Sequence, residues 1–150
     1  MRCIIQRVTH VSVTIESVKR ASIGLGLLIL LGVEDADGPE DIEWLAGKVS
    51  RLRIFNNAEG VMNLSVMEVD GECLVVSQFT LHASTKKGNR PSYLKAAHPD
   101  RAIPMYENFV SALGELTGKK VQTGVFAADM KVELLNDGPV TIFIDSKARE

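Results

Sequence analysis

The chain has 150 residues, enough for one domain with one hydrophobic core. Its 45% hydrophobic and 24% charged content is that of an ordinary globular protein. A net charge of -2 argues against broad gripping of a nucleic-acid backbone, although it leaves room for contact with one end of an RNA.

Residues 2 to 8 and 11 to 15 alternate apolar and polar, which predicts two strands joined as a hairpin around Thr9-His10. Residues 23 to 33 form a nearly unbroken apolar run edged by glycine, the pattern of a strand buried on both faces. Asp35 to Pro39 is a turn-rich link. A helix follows, with Pro39, Glu40 and Asp41 in its first turn and Ile42, Leu45, Val49 and Leu52 on one face. Asn56 to Gly60 reads as a loop, and Glu72 to Phe79 as a central strand. Residues 82 to 99 are polar, with glycine, two prolines and several lysines, and predict a long surface segment. A second helix is expected from near Asp100, with Pro104 in its first turn. Tyr106, Phe109, Val110, Leu113 and Leu116 share its apolar face, and Gly118 stops it. Short strands near 121–126, 130–136 and 140–145 close the chain, and the polar tail from Ser146 to Glu150 is expected to fray. No repeat or linker divides residues 1–150. The sum is a single mixed α/β (α+β) domain with a largely antiparallel sheet and two main helices.

No signal peptide is legible at the start, and the apolar run from Leu25 to Leu31 is too short to cross a bilayer. Cys3 and Cys73 lack metal-type spacing and sit in strand patterns, so two buried free thiols and a reducing, cytoplasmic setting are expected. No zinc-type spacing, Walker loop, dinucleotide fingerprint or GxSxG elbow appears, so neither metal nor cofactor is expected. His10, His82 and His98 are scattered, and each reads as a surface or turn residue.

Two short segments stand out. Ser77-Gln78-Phe79-Thr80-Leu81 follows the apolar strand Cys73-Leu74-Val75-Val76 and precedes the basic stretch Lys86-Lys87-Gly88-Asn89-Arg90. Polar groups at a strand end are held rigidly beside an accessible loop, a common setting for a site. Read alone, Ser77 and Thr80 are equally well strand-end hydroxyls bonded to backbone. Lys86, Lys87 and Arg90 are equally well a solvated loop. The second segment, Asn136-Asp137-Gly138-Pro139-Val140-Thr141, lies between apolar runs and predicts a hairpin tip. Gly-Pro is also a dipeptide that can fix backbone carbonyls in an unusual direction.

Together these segments resemble the two signature motifs of the D-aminoacyl-tRNA deacylase family. The resemblance runs over nearly the whole chain, through Gln6-Arg7-Val8, Leu52-Arg53-Ile54-Phe55, Met62-Asn63-Leu64-Ser65 and Gly124-Val125-Phe126. It implies a barrel-like sheet and hydrolysis of the ester of D-aminoacyl-tRNA. Ser77, Gln78, Phe79 and Thr80 would line the reaction centre. Gly138 and Pro139, with a cis bond, would be inserted from one subunit of a homodimer into the site of the other and held there by Arg7. The terminal adenosine of the tRNA 3′ end would lie by Phe126 and Met130, with acceptor-stem phosphates near Lys86, Lys87 and Arg90.

No base is evident beside Thr80, so a route assisted by the neighbouring ribose hydroxyl suits these residues better than a hydroxyl nucleophile. Backbone N–H groups near Phe79 and Thr80 would meet the oxyanion. Fixed carbonyls would reject an L side chain by clash. Glycine has no side chain to reject, so glycyl-tRNA, including glycine mischarged on tRNA(Ala), would also be cleaved. Two departures from the family pattern are Ala127 in place of glycine and a turn at Glu16-Ser17 without glycine. A paralogous enzyme that removes a mischarged L-amino acid and a nucleic-acid-binding module without turnover are the alternative readings.

Overall fold

In the computed structural model, which describes residues 1–149, strand β1 (Arg2–Ile15) is the spine of the sheet. One of its edges is shared in succession. Arg2 to Val8 pair with β3 (Gly26–Gly32), and Val11 to Ile15 pair with β2 (Val18–Ile23), both antiparallel. Its other edge is taken by β8 (Lys131–Asp145), antiparallel, from Arg2 opposite Asp145 to Thr14 opposite Lys131. β3 pairs in parallel with β6 (Glu72–Ser77), and β6 in parallel with β7 (Gln122–Thr123). The sheet is therefore largely antiparallel with two parallel junctions, and it curls into a nearly closed barrel.

Its two faces carry separate cores. Val8, Val11, Val13, Ile23, Leu28, Leu74 and Val76 pack together on one face. On the other, Cys3, Ile5, Leu27, Ile29 and Leu31 meet α1 (Pro39–Arg51) and α2 (Pro99–Thr117). β3 contributes to both, which is why its sequence is an unbroken apolar run. Cys3 and Cys73 are buried free thiols, and burial pushes both up to about 12. A small antiparallel pair, β4 (Phe55–Asn56) and β5 (Met62–Leu64), stands apart from the main sheet.

Several expectations change. There is no hairpin at Thr9-His10. β1 runs straight through, with irregularities in its pairing to β8 on either side of Val8. The apolar run from 23 to 33 is two strands, since Ile23 ends β2 and Gly26 opens β3. Gly26 is required there, because a Cβ would lie 1.9 Å from the Glu72 carbonyl oxygen. The stretch near 121–126 shrinks to the two residues of β7. The segments near 130–136 and 140–145 are one strand, β8. Gly138-Pro139 is thus no hairpin tip. Asn136 faces Val8 and Thr141 faces Gln6, so Asp137 to Val140 bulge out opposite Arg7 alone. A 14-residue β1 offers edge enough for both flanking segments, and pairing with it wins over pairing with each other.

α1 buries Ile42, Leu45 and Val49 as expected, and the Asp41 carboxylate accepts the Gly38 N–H at 2.9 Å to close its first turn. α2 begins at Pro99, which places Pro104 in the second turn rather than the first. Tyr106, Phe109 and Leu113 are buried, whereas Leu116 is 43% exposed, and Gly118 caps the helix in the left-handed region at φ 67. The polar tail returns to the start of the chain through Ser146 and Lys147. Ser146 is buried, its N–H donates to the Met1 carbonyl at 2.8 Å, and its Oγ donates to Asp41 at 2.6 Å. Lys147 Nζ donates to the same carboxylate at 2.7 Å, and the Met1 amine donates to Ser146 Oγ and the Asp37 carboxylate. Glu150 lies outside the described residues.

Candidate active site

β6 ends at Ser77, and the chain turns at once into a short 3-10 turn, Phe79–His82. The Gln78 N–H donates to the Leu31 carbonyl at 2.8 Å, continuing the β3–β6 ladder to the turn itself. Gly32 allows the close approach, since a Cβ there would stand 3.0 Å from both the Gln78 carbonyl oxygen and the His82 ring. Arg2 braces the far side, donating to the Leu81 carbonyl at 3.1 Å and pairing with Asp145 at 2.8 Å. Within the turn the Gln78 side-chain amide donates to the Thr80 hydroxyl oxygen. The backbone N–H groups of Phe79 and Thr80 meet no acceptor among the described residues, as expected at the start of a helical turn.

A cavity of about 560 Å³ opens in front of this turn. Ser77, Gln78, Phe79, Phe126 and Met130 line it together with Leu31, Val76 and Tyr106. Phe79 is 55% exposed and meets Tyr93 edge-on, ring centres 5.0 Å apart. Tyr106 donates to the Val75 carbonyl at 2.8 Å and packs edge-on against Phe126 at 6.1 Å. Burial pushes its phenol up.

The expected site residues fall into two clusters and an outlying loop. Ser77, Gln78, Phe79, Phe126 and Met130 share the cavity, with Thr80 behind it, bonded to Gln78. Phe126 and Met130 belong to the segment between β7 and β8, not to a late strand. Arg7, Gly138 and Pro139 form the second cluster, and none of them lines the cavity of its own chain. Arg7 is buried. Its Nε lies 3.1 Å from the Asp137 carbonyl oxygen and 3.2 Å from the Asp137 carboxylate, and its Nη1 donates to the Ile54 carbonyl at 2.7 Å. Asn136 closes the base of the bulge, its Oδ1 accepting the Val140 N–H at 3.3 Å. The Gly138–Pro139 bond is cis, Gly138 has φ 124, and both residues are exposed. Lys86, Lys87 and Arg90 stand exposed on the 82–99 segment and line no part of the cavity.

A match to the model of the D-Tyr-tRNA(Tyr) deacylase family spans residues 4–145. The chain belongs to the D-Tyr-tRNA(Tyr) deacylase family. It is 67% identical to the D-aminoacyl-tRNA deacylase of Flavobacterium johnsoniae and 65% identical to that of Parabacteroides distasonis, each over 150 residues and the full length of both chains. The solved structure of a c-Myc DNA Unwinding Element Binding Protein is 36% identical, with a TM-score of 0.93 over 99% of this chain and 100% of that one. A probable eukaryotic D-amino acid tRNA deacylase, 16% identical, shares the fold with a TM-score of 0.82 over 95% and 97% of the two chains.

This deacylase-family chain places Tyr93 and Tyr106 at its cavity, where the sequence marks neither as a site residue, and buries His82 beside the turn. Tyr93 lay inside a polar stretch read as plain surface, where a lone aromatic among lysines was the available signal. Tyr106 was counted as helix core, and it is both core and cavity lining. The expectation for His82, a surface or turn residue, holds for the turn and fails for the surface. His82 ends the 3-10 turn fully buried, and neither ring nitrogen has a hydrogen-bond partner among the described residues.

Proposed function

We propose that this protein hydrolyses the ester of D-aminoacyl-tRNA, releasing the free D-amino acid and tRNA, as a cytoplasmic homodimer. The observation that carries the reading is the Ser77–Thr80 turn beside the cavity in a chain that belongs to the deacylase family. The unengaged N–H groups of Phe79 and Thr80 suit an oxyanion, and the cavity suits the aminoacyl ester with its terminal adenosine against Phe126 and Met130. The Thr80 hydroxyl accepts from an amide and, among the described residues, has no carboxylate or imidazole bonded to it, which favours attack by water assisted by the substrate's ribose hydroxyl. Thr80→Ala is therefore expected to retain near-normal kcat for D-Tyr-tRNA, whereas a loss of three orders of magnitude would make Thr80 the nucleophile.

Chiral rejection falls to Gly138 and Pro139. Their exposed bulge lies outside its own chain's cavity and is clamped by Arg7, which supports delivery into the cavity of a second copy. Backbone carbonyls held there exclude an L side chain by clash and admit glycine, so glycyl-tRNA, including Gly-tRNA(Ala), is also a substrate. Lys86, Lys87 and Arg90 contact acceptor-stem phosphates. A second reading, a nucleic-acid-binding module without turnover, draws on the name of the 36% identical structure. Paired assays of D-Tyr-tRNA and L-Tyr-tRNA, with and without EDTA, separate the possibilities. Loss of the D-ester alone, insensitive to EDTA, supports the proposal. Loss of the L-ester points to the paralogous activity, and loss of neither with tRNA still bound points to the binding module.

A further inference from the structure

On the solvent side of α1 a hollow of about 580 Å³ shares no residue with the reaction cavity. Glu43, Trp44, Gly47, Lys48 and Arg51 follow one another along one helix face, and Arg53 and Arg149 converge on it from outside the helix. Cations in a last helical turn are ordinarily explained by the helix dipole. Three features here go further. Arg53 and Arg149 owe nothing to that dipole. Trp44 fixes the charges, with Arg149 stacked over its ring at 4.5 Å and Lys48 at 5.6 Å, so less side-chain freedom remains to be lost on binding. Gly47 is a helix-interior glycine, which costs helix stability relative to alanine, and its missing side chain leaves the space that Arg51 occupies. A Cβ there would lie 2.8 Å from Arg51 Nη2. Lys48 and Arg51 have neither an ion pair nor a hydrogen bond to a side chain among the described residues.

We propose that this hollow grips the phosphate backbone of the tRNA at a place separate from the reaction cavity. The inference rests on the reading that tRNA is the substrate. In a chain of net charge -2, a preformed pocket of cations is the way to hold a polyanion without coating the surface in charge. Glu40 and Glu43 on the same rim limit the grip and disfavour anions that lack donors of their own, whereas ribose hydroxyls can donate to them.

Trp44 is the sole tryptophan, so its fluorescence reports on the hollow directly. Deacylated tRNA is titrated into the full-length protein over a salt series, and kcat and KM for D-Tyr-tRNA are measured alongside. Lys48→Gln/Arg51→Gln is expected to raise Kd and KM by about tenfold with kcat held, and to flatten the salt dependence by about two units of slope. Lys48→Arg/Arg51→Lys restores binding. Gly47→Ala, which favours the helix, is expected to weaken binding while raising Tm. If wild type hydrolyses the D-ester and the double variant matches its KM, Kd and slope, the inference falls and the proposed function stands. If wild type hydrolyses no ester but the double variant loses tRNA affinity, the proposed function falls and the inference stands. Saturation with tRNA that leaves Trp44 fluorescence unchanged also overturns the inference.

Discussion

A Cβ at Gly32 would press on the Gln78 carbonyl oxygen, on the His82 ring at 3.0 Å and on Leu81 at 3.1 Å, all within or next to the turn that lines the cavity. The strand below is packed on both faces, so the turn is the part that gives way. Gly32→Ala is expected to shift it by a few tenths of an ångström and lower kcat for D-Tyr-tRNA roughly tenfold, with a folded, cooperatively melting protein. An unchanged kcat would show that the turn has slack. Glu16 and Ser17 carry a different burden. They form the two-residue link between β1 and β2 at φ 49 and 64, a left-handed region that side chains disfavour. Ser17→Gly should raise stability by about 1 kcal/mol, read as a rise in Tm of about 3 °C. Ala127, at φ 61 on the cavity wall, holds the same kind of backbone, and nothing in the structure explains its alanine.

The pairing of β1 with β8 places Arg7 under the bulge, where one buried guanidinium serves the Asp137 carbonyl, the Asp137 carboxylate and the Ile54 carbonyl. Arg7→Ala leaves the Ile54 carbonyl without its donor and frees the bulge. Urea unfolding should show a loss of about 2–4 kcal/mol, and hydrolysis of the D-ester should fall with it. Hydrolysis at the wild-type rate would mean that the bulge is held by other contacts. The same pairing explains what the sequence could and could not reveal. α1 and α2 are legible because their periodicity is local, and β3 because its apolar run is contiguous, although that run hides the break between Ile23 and Gly26. β8 was read as a hairpin because Asn136 to Pro139 carries every local turn signal, and only the distant edge of β1 turns that signal into a bulge. The Ser77–Leu81 motif is legible because its residues are contiguous, but the apolar pattern carries the expected strand on to Phe79, whereas β6 ends at Ser77 and Phe79 opens the 3-10 turn. Tyr93 reaches the cavity through a loop and Tyr106 from α2, and the burial of His82 arises from packing on Gly32. Apart from the lone aromatic among lysines at Tyr93, nothing local says that these side chains meet at the turn.

Across the molecule, the start of β1 and the end of β8 meet in a buried polar cluster of the Met1 amine, Asp37, Asp41 and Ser146, which the exposed Lys147 joins from the surface. Burial by itself would raise the Asp41 carboxyl. Hydrogen bonds from Lys147, Ser146 and the Gly38 amide outweigh it and lower the group from 3.8 to about 2. A group lowered in the folded state stabilises above its unfolded value and loses that stabilisation as pH falls toward its folded value. About 2 kcal/mol should therefore drain away between pH 4 and pH 2. Unfolding free energies measured across that window should fall for wild type and run flatter for Asp41→Asn, which starts lower at pH 7. Parallel curves would assign the acid sensitivity to other carboxylates.

The bulge from Asp137 to Val140 also divides the β1–β8 pairing into two stretches that do not share a register. In an unbroken pair, one inserted residue turns every later side chain to the opposite face. Here Gln6 with Thr141 and Val8 with Asn136 close off each half separately, so an added or lost residue between them stops at the bulge. A change in the length of the Gly-Pro projection would therefore leave the inward and outward faces of the walls on both sides as they are, with the Arg7 clamp a tie it strains.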